Sequence, residues 1–263
     1  MKNEIKKTAI VTGASRGIGL AVARQLGLDG YNVVMVATGC REKNSEAIAH
    51  LEGLGIAVGY VQADVSDHDD RLRIVGQTVE MFGRIDVLVN NAGFGKLGEF
   101  TQVPLDDELR MIDTNITALH ILTKLFLKDF VKADRGYILN VASSAGLLPG
   151  GPLMATYYAT KAYVTSLTSA IYGELKQQGS SVSISALCPG PVDTEFNSVA
   201  NAVFPIEGID AKQCADIAVR GMFSKELIII PETRMKLAAA ASGIVPRKLA
   251  VAVTGQLQSA KKQ

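Results

Sequence analysis

Seven short runs of β-forming apolar residues, separated by amphipathic stretches, constrain this chain more than any other feature. The runs are Ala9–Val11, Val33–Val36, Ala57–Val61, Val87–Val89, Ile138–Val141, Val182–Leu187 and Leu227–Ile230. Between them, helical periodicity marks Ile18–Leu28, Arg71–Phe82, Leu105–Phe130, Thr156–Lys176 and Ala211–Phe223. Runs that are apolar throughout, rather than alternating, predict strands buried on both faces. That pattern belongs to a parallel sheet with helices on either side. Repeated strand–helix–strand units with right-handed crossovers then give a doubly wound α/β sheet of about seven strands. No composition break, linker or internal repeat divides the 263 residues. One domain over 1–263 is expected, with 232–263 as a C-terminal helical extension.

A hydrophobic content of 48% supports a sizeable buried core, and a net charge of +1 gives no reason to expect nucleic acid or an anionic membrane as partner. Cys40, Cys188 and Cys214 are widely spaced, with no CxxC, which argues against a disulfide framework or a zinc site. His50, His68 and His120 lack metal-ligand spacing, so no metal is expected. The apolar runs, such as Leu237 to Pro246, fall short of the roughly 20 residues that a membrane span needs. With no signal-peptide pattern at the N-terminus, the expectation is a cytoplasmic globule with no transmembrane segment.

In a doubly wound sheet, ligands bind outside the carboxyl ends of the strands, so the loops there carry the chemistry. After the first run stands Thr12-Gly13-Ala14-Ser15-Arg16-Gly17-Ile18-Gly19, a GxxxGxG turn between strand and helix. Its glycines let the backbone approach a pyrophosphate, and the helix N-terminus favours negative charge. Asp64-Val65 follows the third run. Asp64 either accepts from an adenine amino group or caps the Arg71 helix. Asn90-Asn91-Ala92-Gly93 after the fourth suits the edge of a flat cofactor, and Ser143 and Ser144 place two hydroxyls after the fifth. After the sixth, Pro189-Gly190-Pro191-Val192-Asp193-Thr194 offers a rigid turn and a hydroxyl. Tyr157 and Lys161 stand one helical turn apart on one face. A lysine ammonium there is expected to draw the phenol below its ordinary pKa of about 10, making it a proton carrier for a carbonyl or alcohol oxygen. Tyr158 is out of phase with Lys161.

In combination these residues resemble the short-chain dehydrogenase/reductase family, single-domain branch, over about Thr8 to Pro231. The segment Cys188 to Phe196 is similar to that of bacterial, ketoacyl-reductase-like members. The resemblance implies a Rossmann-type fold, NAD(P) binding, and hydride transfer between nicotinamide and a carbonyl or secondary alcohol. It implies that Tyr157 is the general acid/base, that Ser143 holds the substrate oxygen, and that Lys161 binds the nicotinamide ribose and lowers the tyrosine pKa. It also implies that Asn115 positions a water on the proton relay. Counting forward from Asn140 selects Ser143, whereas counting back from Tyr157 selects Ser144; Ser143 is preferred. The cofactor set expected from the loops is Gly13, Ser15, Arg16, Gly17, Ile18, Gly19, Thr38, Arg41, Asp64, Val65, Asn91, Ala92, Gly93, Tyr157, Lys161, Pro189, Gly190, Val192 and Thr194.

The second run ends Val36-Ala37-Thr38-Gly39-Cys40-Arg41, without the acidic residue that bonds the ribose hydroxyls in an NAD site. Arg16 and Arg41 are placed to meet a 2′-phosphate, and Thr38 to add a hydroxyl. NADP(H) is therefore expected over NAD(H). Loops Phe94 to Phe100 and Phe196 to Ile206 are expected to cover the site. The apolar residues of the second favour an apolar carbonyl or alcohol as small-molecule substrate: an acyl chain, a steroid-like ring or an aromatic ketone. The tail after Pro231 reads as a lid, an oligomer contact or a membrane-surface helix. Family resemblance suggests a homodimer or homotetramer joined through the helices carrying Asn115 and Tyr157. The alternative reading is a non-catalytic dinucleotide-binding sensor on the same fold, since fold does not fix function.

Overall fold

The structure, a computed structural model, describes residues 5–195 and 208–259. The strands within them are β1 (Thr8–Thr12), β2 (Asn32–Ala37), β3 (Val58–Gln62), β4 (Val87–Asn90), β5 (Tyr137–Val141), β6 (Ser183–Leu187), β7 (Val192–Asp193), β8 (Ile209–Asp210) and β9 (Ile228–Ile229). Seven of them form one sheet in the order β3–β2–β1–β4–β5–β6–β9, every pair parallel. β7 and β8 make a separate parallel pair. All seven apolar runs of the sequence became strands of the main sheet.

Alternation along each strand divides the core in two. Val11, Val33, Met35, Val89 and Leu139 face one side and pack on α1 (Gly17–Leu28) and on α7 (Ala211–Phe223), through Val22, Leu26, Ala218 and Met222. Ile10, Val34, Leu88, Ile138 and Ile184 face the other side. They meet α3 (His68–Phe82) at Ile74 and α5 (Leu119–Ala133) at Leu122, Phe126 and Phe130. Each such aliphatic side chain contributes about 1.5–3 kcal/mol on burial. Strands buried on both sides are therefore mostly apolar, with small or hydrogen-bonded polar residues such as Ser183, Ser185 and Asn140 at the remaining buried positions. α2 (Ser45–Gly53) covers the β2–β3 crossover.

Two helix boundaries differ from the sequence expectation. Asp67, not Asp64, caps α3: its carboxylate accepts from the Asp70 N–H at 2.9 Å. Asp64 instead accepts from the N–H and hydroxyl of Ser66. The stretch Leu105–Phe130 is not one α-helix. α4 (Leu105–Ile112) passes into a π-helical turn at Asp113–Ala118 before α5 begins. Such a turn inserts a residue into the i→i+4 ladder and redirects the side chains around it.

The long helix α6 (Ala155–Gln177) carries Tyr157 and Lys161. Beyond β9 the tail folds into α8 (Thr233–Ser242) and α9 (Arg247–Ser259). It lies across the segment after β5: Ser242 donates to Leu147 O, Arg247 to Pro149 O, and Thr254 to Gly150 O at 2.6 Å. No helix of the described residues is long and apolar enough to cross a membrane. Strand order reverses between β1 and β4, which opens a crevice at their carboxyl ends.

Candidate active site

The crevice is held open by a strap between the loops after β1 and β4. Thr12 Oγ1 accepts from the N–H groups of Asn91 and Ala92 at 3.0 Å and donates to Val89 O. Asn91 Nδ2 returns two bonds, to Thr12 O and Gly13 O. Gly13 makes this approach feasible: its φ is +63°, and a Cβ there would lie 2.9 Å from Ala92 Cα. α1 then begins with Arg16 as N-cap, and the Arg16 side chain makes no capping bond to its first turn. The leading N–H groups of α1 thus start beside a glycine cradle without a cap from Arg16. That arrangement fits the pyrophosphate of a dinucleotide.

At the neighbouring strand end, β5 delivers Ser143. Its hydroxyl caps the short turn Ser144–Gly146 by accepting from Ala145 N at 3.1 Å, and it is hydrogen-bonded to the Tyr157 side chain. Ser144 also lines the crevice, where its N–H is bound by Pro189 O. Lys161 Nζ donates to Val141 O at 2.8 Å and lies 5.8 Å from the centre of the Tyr157 ring. Both side chains are buried. Burial pushes Tyr157 up to about 12, against the smaller lowering effect of the Ser143 bond, and pulls Lys161 down to about 8. The expected depression of the tyrosine by the lysine is therefore not found in the protein by itself. Loss of water is the largest cause of each shift, and the ammonium is turned toward the Val141 carbonyl.

Asn115 sits in the π turn with its side chain spent on neighbours. Oδ1 accepts from Phe94 N at 3.1 Å, while Nδ2 donates to Phe94 O and to Thr160 Oγ1. It thus ties the loop after β4 to α6. Gly93 is the residue that lets it close: a Cβ there would stand 2.9 Å from Asn115 Oδ1.

With the glycine loop, Ser143, Tyr157 and Lys161 share a cavity of ≈ 290 Å³. Of the residues expected from sequence, it gathers Gly13, Arg16, Gly17, Ile18, Gly19, Asn91, Gly93, Ser143, Tyr157, Lys161, Pro189, Gly190, Val192 and Thr194. Ser15, Val65, Ala92 and Asn115 stand outside its wall. Thr38 and Asp64 face a second depression, with Gln62 and Arg73. Arg41 lines neither; its guanidinium lies 3.6 Å from Glu52. Arg16 is exposed at the cavity's edge. The expected cover loop Phe196 to Ile206 falls outside the described residues, whereas Phe94 and Leu97 join a small apolar cluster with Met111, Met154, Tyr157 and Tyr158.

Several wall residues were not anticipated. Tyr158 lines the cavity, and the tail supplies Met235, Thr254, Leu257 and Gln258. No local pattern places a tail helix opposite α6; the Tyr158–Gln258 bond spans 100 residues of sequence.

A doubly wound parallel sheet, a glycine cradle at its switch point and a buried Ser–Tyr–Lys group beside it define an oxidoreductase fold of the nicotinamide-dinucleotide type. Comparison with known proteins makes the assignment specific. The family model described as short chain dehydrogenase matches residues 7–203, and the chain belongs to that family. Among its relatives is a 3-oxoacyl-(acyl-carrier-protein) reductase of Synechocystis sp., 36% identical over 196 residues, covering 74% of this chain and 78% of the relative. Similar solved structures include a short-chain dehydrogenase from Sphingobium yanoikuyae in complex with NADPH. It is 30% identical with a TM-score of 0.77, and the match covers 90% of this chain and 94% of that one. The bulky-bulky ketone specific alcohol dehydrogenase from Comamonas testosteroni is 29% identical with a TM-score of 0.74, with coverage of 92% and 94%.

Proposed function

We propose that this chain is an NADP(H)-dependent oxidoreductase interconverting an apolar ketone and its secondary alcohol. The observation that carries the reading is the Ser143–Tyr157–Lys161 group, buried at the wall of a largely apolar cavity that also holds the glycine loop. The dinucleotide, when bound, supplies or accepts the hydride.

The protein's own residues handle the oxygen and the proton. Ser143 Oγ holds the substrate oxygen by a hydrogen bond beside Tyr157. Tyr157, kept protonated at neutral pH by burial, gives its proton to that oxygen as the carbonyl carbon gains the hydride. The C=O π bond becomes an O–H bond, and the tyrosinate left behind is stabilised by Lys161. Lys161 also bonds the nicotinamide ribose. In alcohol oxidation the proton travels the other way. Asn115 acts through Phe94 and Thr160, fixing the loop after β4 against α6. Gly13, Ser15, Gly17, Ile18 and Gly19 hold the pyrophosphate, Asp64 and Val65 the adenine side, and Asn91, Ala92 and Gly93 the adjoining ribose edge. Pro189, Gly190, Val192 and Thr194 hold the nicotinamide end.

The preference for NADP(H) rests on Arg16 at the cavity edge and on the lack of a carboxylate directly after β2, with Thr38 adding a hydroxyl. Arg41, paired with Glu52, is the weaker of the two cations for this purpose. The NADPH complex of the Sphingobium relative supports the same choice. The apolar substrate rests on Phe94, Leu148, Met154 and Leu257 in the wall, and on the Comamonas relative's selectivity for bulky ketones.

A fluorescence titration with NADPH and NADH, followed by a ketone panel read as NADPH oxidation, tests the proposal. Tighter NADPH binding with turnover of bulky apolar ketones is the expected result. Tighter NADH binding overturns the cofactor preference. In the same assay, Tyr157→Phe is expected to cut kcat by roughly 10²–10⁴-fold while NADPH still binds; retained turnover overturns the assignment of the acid.

A further inference from the structure

The substrate end of the cavity is closed by the chain's own last helix, and the closure leaves a matched pair of hydrogen-bonding groups unused. α9 is pinned by Thr254 on Gly150 O and by Gln258, whose Nε2 donates to the Tyr158 hydroxyl oxygen at 2.5 Å. Gln258 is only 3% exposed, yet its Oε1 has no hydrogen-bond partner among the described residues. Tyr158 accepts the amide bond, and its own O–H proton finds no acceptor among the described residues. Burial raises the Tyr158 pKa, so that proton stays on at neutral pH. Side by side at the cavity wall, then, lie one free acceptor and one free donor.

A buried polar group without a partner is costly in a folded protein, and each such case calls for an explanation. An alcohol hydroxyl is the small group that satisfies both at once: it donates to Oε1 and accepts from the phenol. Leu148, Met154, Met235 and Leu257 line the same cavity and are apolar.

We infer that Tyr158 and Gln258 form a hydroxyl-recognition subsite, so that the preferred substrate is an apolar ketone carrying a second, alcoholic oxygen away from the reacting carbonyl. The inference rests on the reductase reading above and sharpens its substrate class. It assigns α9 the role of a specificity element through Gln258, which lies beyond the 7–203 span matched by the family model, acting with Tyr158 inside it.

The test is a set of aryl alkyl ketones in pairs, identical but for a hydroxyl at the far end, assayed with NADPH. The hydroxylated member is expected to lead by about tenfold or more in kcat/KM, because a site built to bond a hydroxyl discriminates against its absence. Gln258→Leu and Tyr158→Phe are expected to bring the ratio near one while the Kd for NADPH stays unchanged. A second readout does not depend on turnover. The chain contains no tryptophan, so Leu257→Trp places a single reporter on α9. Its emission in the presence of NADP⁺ is expected to shift with the hydroxylated compound at concentrations where the deoxy compound has no effect. Equal kcat/KM within each pair, or equal emission changes including none for either, overturns the inference. Absence of turnover on every carbonyl would sink the reductase reading instead, and the emission experiment would still decide on the subsite.

Discussion

At the scale of single residues, burial decides the chemistry of Tyr157 and Lys161. The phenol stands at about 12 and the ammonium at about 8, each displaced toward its neutral form. A protonated tyrosine is the form needed for carbonyl reduction, whereas alcohol oxidation needs the tyrosinate. Below a pKa, the tyrosinate fraction grows tenfold per pH unit. Alcohol oxidation should therefore rise from about pH 7 to 8, while ketone reduction should hold there and fall above about pH 8, where Lys161 loses the charge that stabilises the tyrosinate. Oxidation already flat from pH 7 would show that the tyrosine titrates far below 12 in the working complex. Asn115 gives a second expectation. Asn115→Ala removes both partners of the Phe94 peptide groups and one of Thr160. Leaving such groups unpaired costs about 1–3 kcal/mol. Urea unfolding should show that loss, and kcat should fall while the Kd for NADPH changes less. Unaltered stability would mean that the loop after β4 is held by something else.

At the scale of elements, what could be read in the sequence was local, and what could not was long-range. Strand positions were legible because each run had to be mostly apolar on both faces, and the glycine loop because GxxxGxG sits between a strand and a helix. The π turn was not legible. Leu105–Phe130 carries continuous helical periodicity, and the break is set by where Asn115 must meet Phe94 and Thr160. The cap of α3 was misplaced by three residues because Asp64 and Asp67 are equally good capping types, and only the turn between them decides. Tyr158 was set aside as out of phase with Lys161. Its role in the cavity depends on α9, which no nearby residue announces. Along α3 the two faces differ sharply: Ile74 is fully buried, whereas Leu72 is 59% exposed. Ile74→Ala should cost about 2–5 kcal/mol in urea unfolding. Leu72→Ala should change stability by no more than about 0.5 kcal/mol. Similar losses at both positions would contradict the placement of α3 on the sheet.

At the scale of the whole molecule, apolar surface remains on α4 and α5 as well as on the tail. Phe100 and Leu105 are exposed near the start of α4, Leu109 on it, and Leu125 on α5 is 52% exposed. α5 and α6 also meet at the surface through His120 and Tyr163, 2.7 Å apart. Exposed aliphatic residues on neighbouring helices fit a helix-to-helix contact between two copies related by a twofold axis, where one patch serves both partners. Such an interface would brace the helices bearing Asn115 and Tyr157 without touching α9. Leu109 and Leu125 would go from water into a packed seam, so a carboxylate at either would be buried without a counter-ion. The expected outcome is a dimer or tetramer in sedimentation velocity, converted toward monomer by Leu125→Asp and by Leu109→Asp. Ile244→Asp, on the exposed tail, is the matched control and should leave the assembly intact. A monomeric parent would rule out the interface altogether, whereas an assembly that survives both helix variants and fails with Ile244→Asp would move it to the tail. The substrate-side closure by α9 would then be shared between two copies.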